Sequence, residues 1–137
     1  MERFWRNIFG KAAATRFHRP VAGQGLNTVA QRNIKSLRML SNEFSFFESQ
    51  PANELLLNRK ENQAFCSICN HQITVFFTGQ SKVSLKLMQF KKEVSVRWLD
   101  INNSQWRTPQ EYKELSQLEL EPPSQGVWAV LITAKQV

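Results

Sequence analysis

Two groupings of side chains in this 137-residue chain have types and spacing that could do chemistry. The first is Cys66-Ser67-Ile68-Cys69, with His71 two residues further on. A Cys-x-x-Cys pair beside a histidine is how many zinc and thiol-redox sites begin. A structural zinc needs four ligands, and the only other histidine, His18, lies far upstream. In a strand, residues three apart point to opposite faces, which makes a poor chelate. The spacing therefore predicts two small apolar side chains in or near a strand, with no metal and no cofactor. The second grouping is aromatic. Trp98 and Trp106 bracket the polar turn in VSVRWLDINNSQW, residues 94–106, and Trp128 stands in QGVWAVLI. Exposed coplanar rings stack on sugar faces, whereas buried ones frame a β-sandwich core. No serine–histidine–acid or cysteine–histidine arrangement is spaced for nucleophilic catalysis, and no phosphate-cradling glycine motif occurs.

These residues need elements to position them, and the apolar periodicity supplies the candidates. Residues 3–14 suit a short helix weakened by Gly10, and residues 15–27 read as a loop around Pro20, Gly23 and Gly25. Asn27 or Thr28 can cap a second helix. Along it Ala30, Ile34, Leu37, Leu40, Phe44 and Phe47 recur at three- and four-residue steps, and Pro51 ends the helical stretch. Arg32, Lys35 and Arg38 lie off that stripe, on the solvated side. From residue 63 the period changes to two. Strands are expected over residues 63–69, 72–77, 82–88, 94–98, 118–121 and 127–133. Val127 to Thr133 is almost continuously apolar, as expected for a strand covered on both faces. Thr108-Pro109-Gln110-Glu111 carries helix-start signals, so residues 109–116 form either a short helical turn or an extended excursion. Trp98 and Trp128 alternate in phase with Val94, Val96, Val130 and Ile132, which places them in the core. Trp106 is the ring left for exposure, or else it covers the open end of the sandwich. The expected fold is mainly β: N-terminal helices, then an antiparallel β-sandwich.

The net charge of +7 is uneven. Residues 1–41 hold eight basic residues and one acid, and residues 42–137 hold ten of each, so the whole excess sits in the first 41. Such a start has three readings: an organelle presequence, a nucleic-acid-binding arm or an ordinary solvated segment. No apolar stretch follows the first arginines, so it is not a secretory signal. The longest apolar run, Val127 to Ile132, is far short of a bilayer span.

Several weak motifs, taken in order, resemble one family. Phe77-Thr78-Gly79, Val83-Ser84-Leu85-Lys86-Leu87, Val96-Arg97-Trp98-Leu99-Asp100 and Pro122-Pro123-Ser124-Gln125-Gly126-Val127-Trp128 are similar to the C-terminal β-sandwich of bacterial apiosidase-like glycoside-hydrolase proteins. That module is commonly labelled the collagen-binding domain of a collagenase. Upstream, RFHRP (16–20), AQRNIKSLRML (30–40), FFESQP (46–51) and NELLLNRKENQAF (53–65) resemble the segment just before it, which closes a catalytic (β/α)8 barrel. The resemblance implies a remnant of that barrel, its loop and last helix, over residues 1–51, and the sandwich over residues 52–137. It also makes the basic start an internal barrel-end segment and weakens the presequence reading.

The same resemblance bears on activity. Glycoside hydrolysis generally needs two carboxylates about 5–9 Å apart. The relatives' acids lie on barrel strands without counterpart in these residues, and a whole barrel takes about 250 residues. Before residue 52 the only acids are Glu2, Glu43 and Glu48, the last two on the expected helix. No catalytic residue is therefore expected. Arg16, His18 and Arg19 fall in what the resemblance makes the loop after the last barrel strand. There they either bind sugar hydroxyls or a carboxylate, or hold the helices to the sandwich. The "collagen-binding" label finds no physical support in these residues. The expected function is a non-catalytic accessory sandwich with a structural or weak carbohydrate-contact role, Trp106 included. The alternative is a partner subunit completing a separately encoded barrel. The stripe Ile34, Leu37, Leu40, Phe44 and Phe47 would then meet that portion, or a second copy of the chain, or pack back on the sandwich. A nucleic-acid-binding or imported protein driven by the basic segment is the third expectation.

Overall fold

The structure is a computed structural model that describes residues 2–10, 27–60, 63–87, 90 and 92–135. Helix α1 (Glu2–Phe9) and helix α2 (Thr28–Ser41) come first. Among the described residues ten strands follow: β1 (Gln50–Pro51), β2 (Leu56–Leu57), β3 (Ala64–Cys69), β4 (Gln72–Phe77), β5 (Val83–Lys86), β6 (Glu93–Asp100), β7 (Gln105–Trp106), β8 (Gln110–Lys113), β9 (Gln117–Leu120) and β10 (Trp128–Ala134). All pairings are antiparallel. The larger sheet runs β1-β3-β4-β10-β6, with β7 and β8 end to end along the far edge of β6; the smaller runs β2-β5-β9. The fold is thus mainly β, a sandwich with helices at its N-terminal end.

The period-two pattern explains the layers. On the inner face of the large sheet, Cys66, Ile73, Val75, Phe77, Val94, Val96, Trp98, Trp128, Val130 and Ile132 meet Leu56, Val83, Leu85, Leu118 and Leu120 of the small sheet. The alternate residues form a second core on the opposite face. There Phe65, Cys69, Phe76, Leu99, Ala129 and Leu131 meet Phe4, Trp5 and Phe9 of α1, with Leu40 and Phe44 from α2 and the turn after it. So β10 is buried on both sides, as its unbroken apolar run predicts. Each fully buried aliphatic or aromatic side chain contributes about 1.5–3 kcal/mol.

The helices are held by polar contacts as well as apolar ones. Asn27 caps α2, its side-chain oxygen accepting from the Ala30 N–H at 2.8 Å. The buried face of α2 is Ala30, Asn33, Ser36 and Leu40. The Trp5 indole N–H donates to Asn33 Oδ1 at 2.7 Å, and Ser36 Oγ donates to the Ile101 carbonyl at 2.8 Å. Ser104 Oγ reaches the Arg32 carbonyl at 3.1 Å, and Ser67 Oγ closes the end of α1 through the Phe9 carbonyl at 3.1 Å.

One expectation needs correction, and two open alternatives are decided. The helical stretch does not run to Pro51: α2 ends at Ser41, where the Asn42 N–H still bonds the Arg38 carbonyl. Beyond it Phe44 turns into the second core against Phe46, so the five-residue stripe is not one helix face. Leu40 and Phe44 are buried, Ile34 and Leu37 are half-buried, and Phe47 is 98% exposed. Residues 110–113 take the extended alternative rather than a helical turn. The edge of β6 offers them a ladder, Glu93↔Lys113 to Val96↔Gln110, worth more than a single turn of local helix. Finally, Trp106 does not cover the sandwich end. Its register opposite Leu99 turns it to the helix side of the sheet.

Candidate functional site

The alternation that buries Val96 and Trp98 puts Arg97 on the opposite face, beside Trp106 on the neighbouring strand. The Arg97 guanidinium lies over the Trp106 ring, 3.9 Å from its centroid, and pairs with Glu43 at 3.4 Å. A cation so placed is attracted by the ring's quadrupole. The ion pair is partly solvated and worth little by itself. Arg97 Nε is buried and finds no acceptor among the described residues. This cluster joins the turn after α2, the sheet and β7. Trp106 is half-buried, with one side taken by Arg97. A sugar could meet only the remaining exposed edge.

The turn before Trp106 is a true corner. Asp100 accepts from the Asn103 backbone N–H at 3.2 Å and from its Nδ2 at 2.8 Å. Ser104 is left-handed (φ 50°). The next loop brings Arg107 over the Trp128 ring at 5.4 Å. Trp98 and Trp128 are both buried, edge to face at 6.3 Å. The Trp128 indole N–H has no acceptor among the described residues.

A second charged cluster lies on the helix-side face of β6, β8 and β10, beyond the helices. Lys135 Nζ sits 3.1 Å from Glu93 and 3.0 Å from Glu111, and Lys113 is 4.0 Å from Glu93. The Lys135 ammonium, hydrogen-bonded to Glu111, holds that carboxyl below its ordinary value. The two carboxylates share a lysine, so they are neutralised ion-pair partners. A general acid needs the opposite shift, upward, from burial or a like charge. Glu43 and Glu48 are exposed at the turn after α2, and Glu43 is tied to Arg97.

Cys66 and Cys69 are both free and buried, Cys66 in the sandwich core and Cys69 in the helix-side core. The sheet thus separates them, as the three-residue spacing in a strand requires. His71 is exposed in the hairpin turn beyond, where Asn70 is left-handed (φ 50°). Among the described residues no group of three or more histidine, cysteine, aspartate or glutamate side chains could hold a metal ion, and no helix is long and apolar enough to cross a membrane. Burial, reinforced by the Glu54 carboxylate, pushes the Cys66 thiol up. Neither cysteine should react with a thiol reagent in the folded chain, and both should react in denaturant. The unfolded thiol ionises near pH 8.5 while the folded one stays protonated. Its contribution to stability is therefore full below that pH and falls as pH rises beyond it. Cys66→Ala should flatten the alkaline limb of a stability–pH curve; an unchanged slope would refute this.

Arg16, His18 and Arg19 lie outside the described residues. Sequence reasoning missed Arg97 and Glu43. Alternation marked Arg97 as facing away from the sandwich core, but no local signal paired it with Trp106 or Glu43.

No family model matches the chain, and no curated protein matches it. Solved structures are similar. One is a glycoside hydrolase family 5 protein from Bacteroides vulgatus, at 14% identity and a TM-score of 0.63, over 74% of this chain and 23% of that one. Another is described as a glycoside hydrolase, at 12% identity and a TM-score of 0.67, over 88% of this chain and 30% of its own. The chain therefore spans about a quarter to a third of the length of the structures it matches. At these identities the likeness is one of fold: a helix-backed antiparallel sandwich that is also found within glycoside hydrolase chains.

Proposed function

We propose that this chain is a non-catalytic accessory sandwich of an apiosidase-like glycoside-hydrolase protein, with a structural and weak carbohydrate-contact role. The finer family rests on the order of the motifs from Phe77 to Trp128, and the fold likeness supports the broader one. The observation that carries the non-catalytic part is the placement of the carboxylates. Glu93 and Glu111 are joined through Lys135 on an open strand face, and Glu43 is held by Arg97. None is arranged as an acid facing a nucleophile. Sugar contact falls to the exposed edge of Trp106, with Arg16, His18 and Arg19 as further candidates.

The purified chain should release no product from aryl glycosides or plant polysaccharides above a buffer blank. Neutral oligosaccharides should bind weakly, with about millimolar Kd, and Trp106→Ala should abolish that binding without unfolding the chain. Hydrolysis that Glu43→Gln or Glu111→Gln removes would overturn the non-catalytic reading. Binding unchanged in Trp106→Ala would remove that residue from the site.

A second reading, a partner subunit completing a separately encoded barrel, is favoured by Phe47. A phenylalanine 98% exposed, next in the chain to the half-buried Phe46, is the kind of side chain an interface covers. Co-purification of a barrel-sized partner from the native host, lost in Phe47→Ser, would support it.

A further inference from the structure

Five basic residues of the two helices point their charge to solvent. Arg3 and Arg6 on α1, and Arg32, Lys35 and Arg38 on α2, are all exposed. None pairs with an acid among the residues whose side chains are described, whereas Lys82, Arg97, Lys113 and Lys135 are each paired with one. The spacing makes rows of them. Steps of three along a helix advance about 4.5 Å and keep neighbours on adjoining parts of its surface. The Trp5–Asn33 hydrogen bond sets the two helices against each other, and the Ser36 and Ser104 bonds fix α2 to the sheet. The five cations therefore stand on a braced layer, where their mutual repulsion costs stability until an opposite charge arrives. Four of the five are arginines, whose planar fork pairs bidentately with carboxylates and phosphates.

We propose that the solvent side of α1 and α2 is a docking surface for an acidic polysaccharide, whose uronate carboxylates pair with Arg3, Arg6, Arg32, Lys35 and Arg38. The choice of a glycan rests on the carbohydrate reading above. Single-stranded nucleic acid is disfavoured by the layer itself. Its binding uses exposed aromatic rings between the cations, and here Phe4, Trp5 and Phe9, the aromatic residues of the two helices, are all buried.

The test uses the full chain and end-labelled oligogalacturonate. Its methyl ester, a neutral galactan, and single- and double-stranded DNA of matched charge serve as comparisons. The oligogalacturonate should bind, and raising salt from about 50 to 200 mM should weaken it at least tenfold. The methyl ester should bind at least about tenfold more weakly, as should the triple variant Arg32→Glu, Lys35→Glu, Arg38→Glu. The milder Arg32→Gln, Lys35→Gln, Arg38→Gln chain controls for folding. Equal or tighter binding to either DNA would overturn the assignment to a glycan. Binding that ignores salt, the ester or the triple variant would overturn the surface. Galactan binding that Trp106→Ala alone removes, with no oligogalacturonate binding, would sink this proposal while leaving the carbohydrate reading in place.

Discussion

Trp5→Ala should lower the unfolding free energy by about 3–5 kcal/mol, a large part of a small domain's total. The side chain is fully buried, stacked on Phe76 at 5.4 Å with the planes 9° apart, and edge-on to Phe4 at 5.6 Å. Its removal opens a cavity between α1 and the sheet. It also strands Asn33 Oδ1, which is buried and accepts the Trp5 N–H at 2.7 Å. Trp5→Phe separates the two effects. It keeps most of the ring but leaves the acceptor unpaired, at about 1–3 kcal/mol. Combining it with Asn33→Leu should recover part of the loss, since removing both polar partners costs less than removing one. Urea unfolding followed by far-UV circular dichroism reads each variant. A Trp5→Ala loss below about 1 kcal/mol would mean that α1 does not belong to the packed core.

Trp128→Ala should cost a similar 3–5 kcal/mol, but Trp128→Phe should behave differently from Trp5→Phe. Trp128 is buried among Phe77, Trp98 and Val130 in the sandwich core, so truncation empties the space between the two sheets. Its indole N–H, however, has no acceptor among the described residues. Replacing it with phenylalanine removes a buried unpaired donor, which offsets part of the lost volume. The phenylalanine variant at 128 should therefore be the milder of the two. Equal losses would show that both indoles are hydrogen-bonded.

Much of this architecture is legible locally. The two-residue period located β3 to β6, β9 and β10, because side chains of a strand alternate between environments whatever its partners are. The unbroken run from Trp128 to Ile132 announced a strand covered twice. A cap at Asn27 or Thr28 was visible because a short polar side chain before an apolar-periodic run can satisfy the first free N–H groups, and the structure uses Asn27. The length of α2 was not. Phe44 and Phe47 continue the three- and four-residue spacing past Ser41, and only the pocket that receives Phe44 breaks it. The buried polar side of α2 was equally hidden. Asn33 and Ser36 face the body because their partners, Trp5 and Ile101, are 28 and 65 residues away.

The candidate site divides in the same way. That Trp98 and Trp128 belong to the core, and that Cys66 and Cys69 cannot share a ligand, follows from parity along a strand. Where Trp106 points depends on which residue of β6 it opposes, and a shift of one residue would have turned it to the other face. By itself, then, the sequence determined the strand faces, the start of α2 and the concentration of charge in residues 1–41. Only the tertiary structure decided that the helices cover the second face of the large sheet, that β8 extends along β6, and that Arg97 claims Trp106. The first set depends on periodicity within one element. The second depends on pairing energies between distant segments, which no local pattern contains.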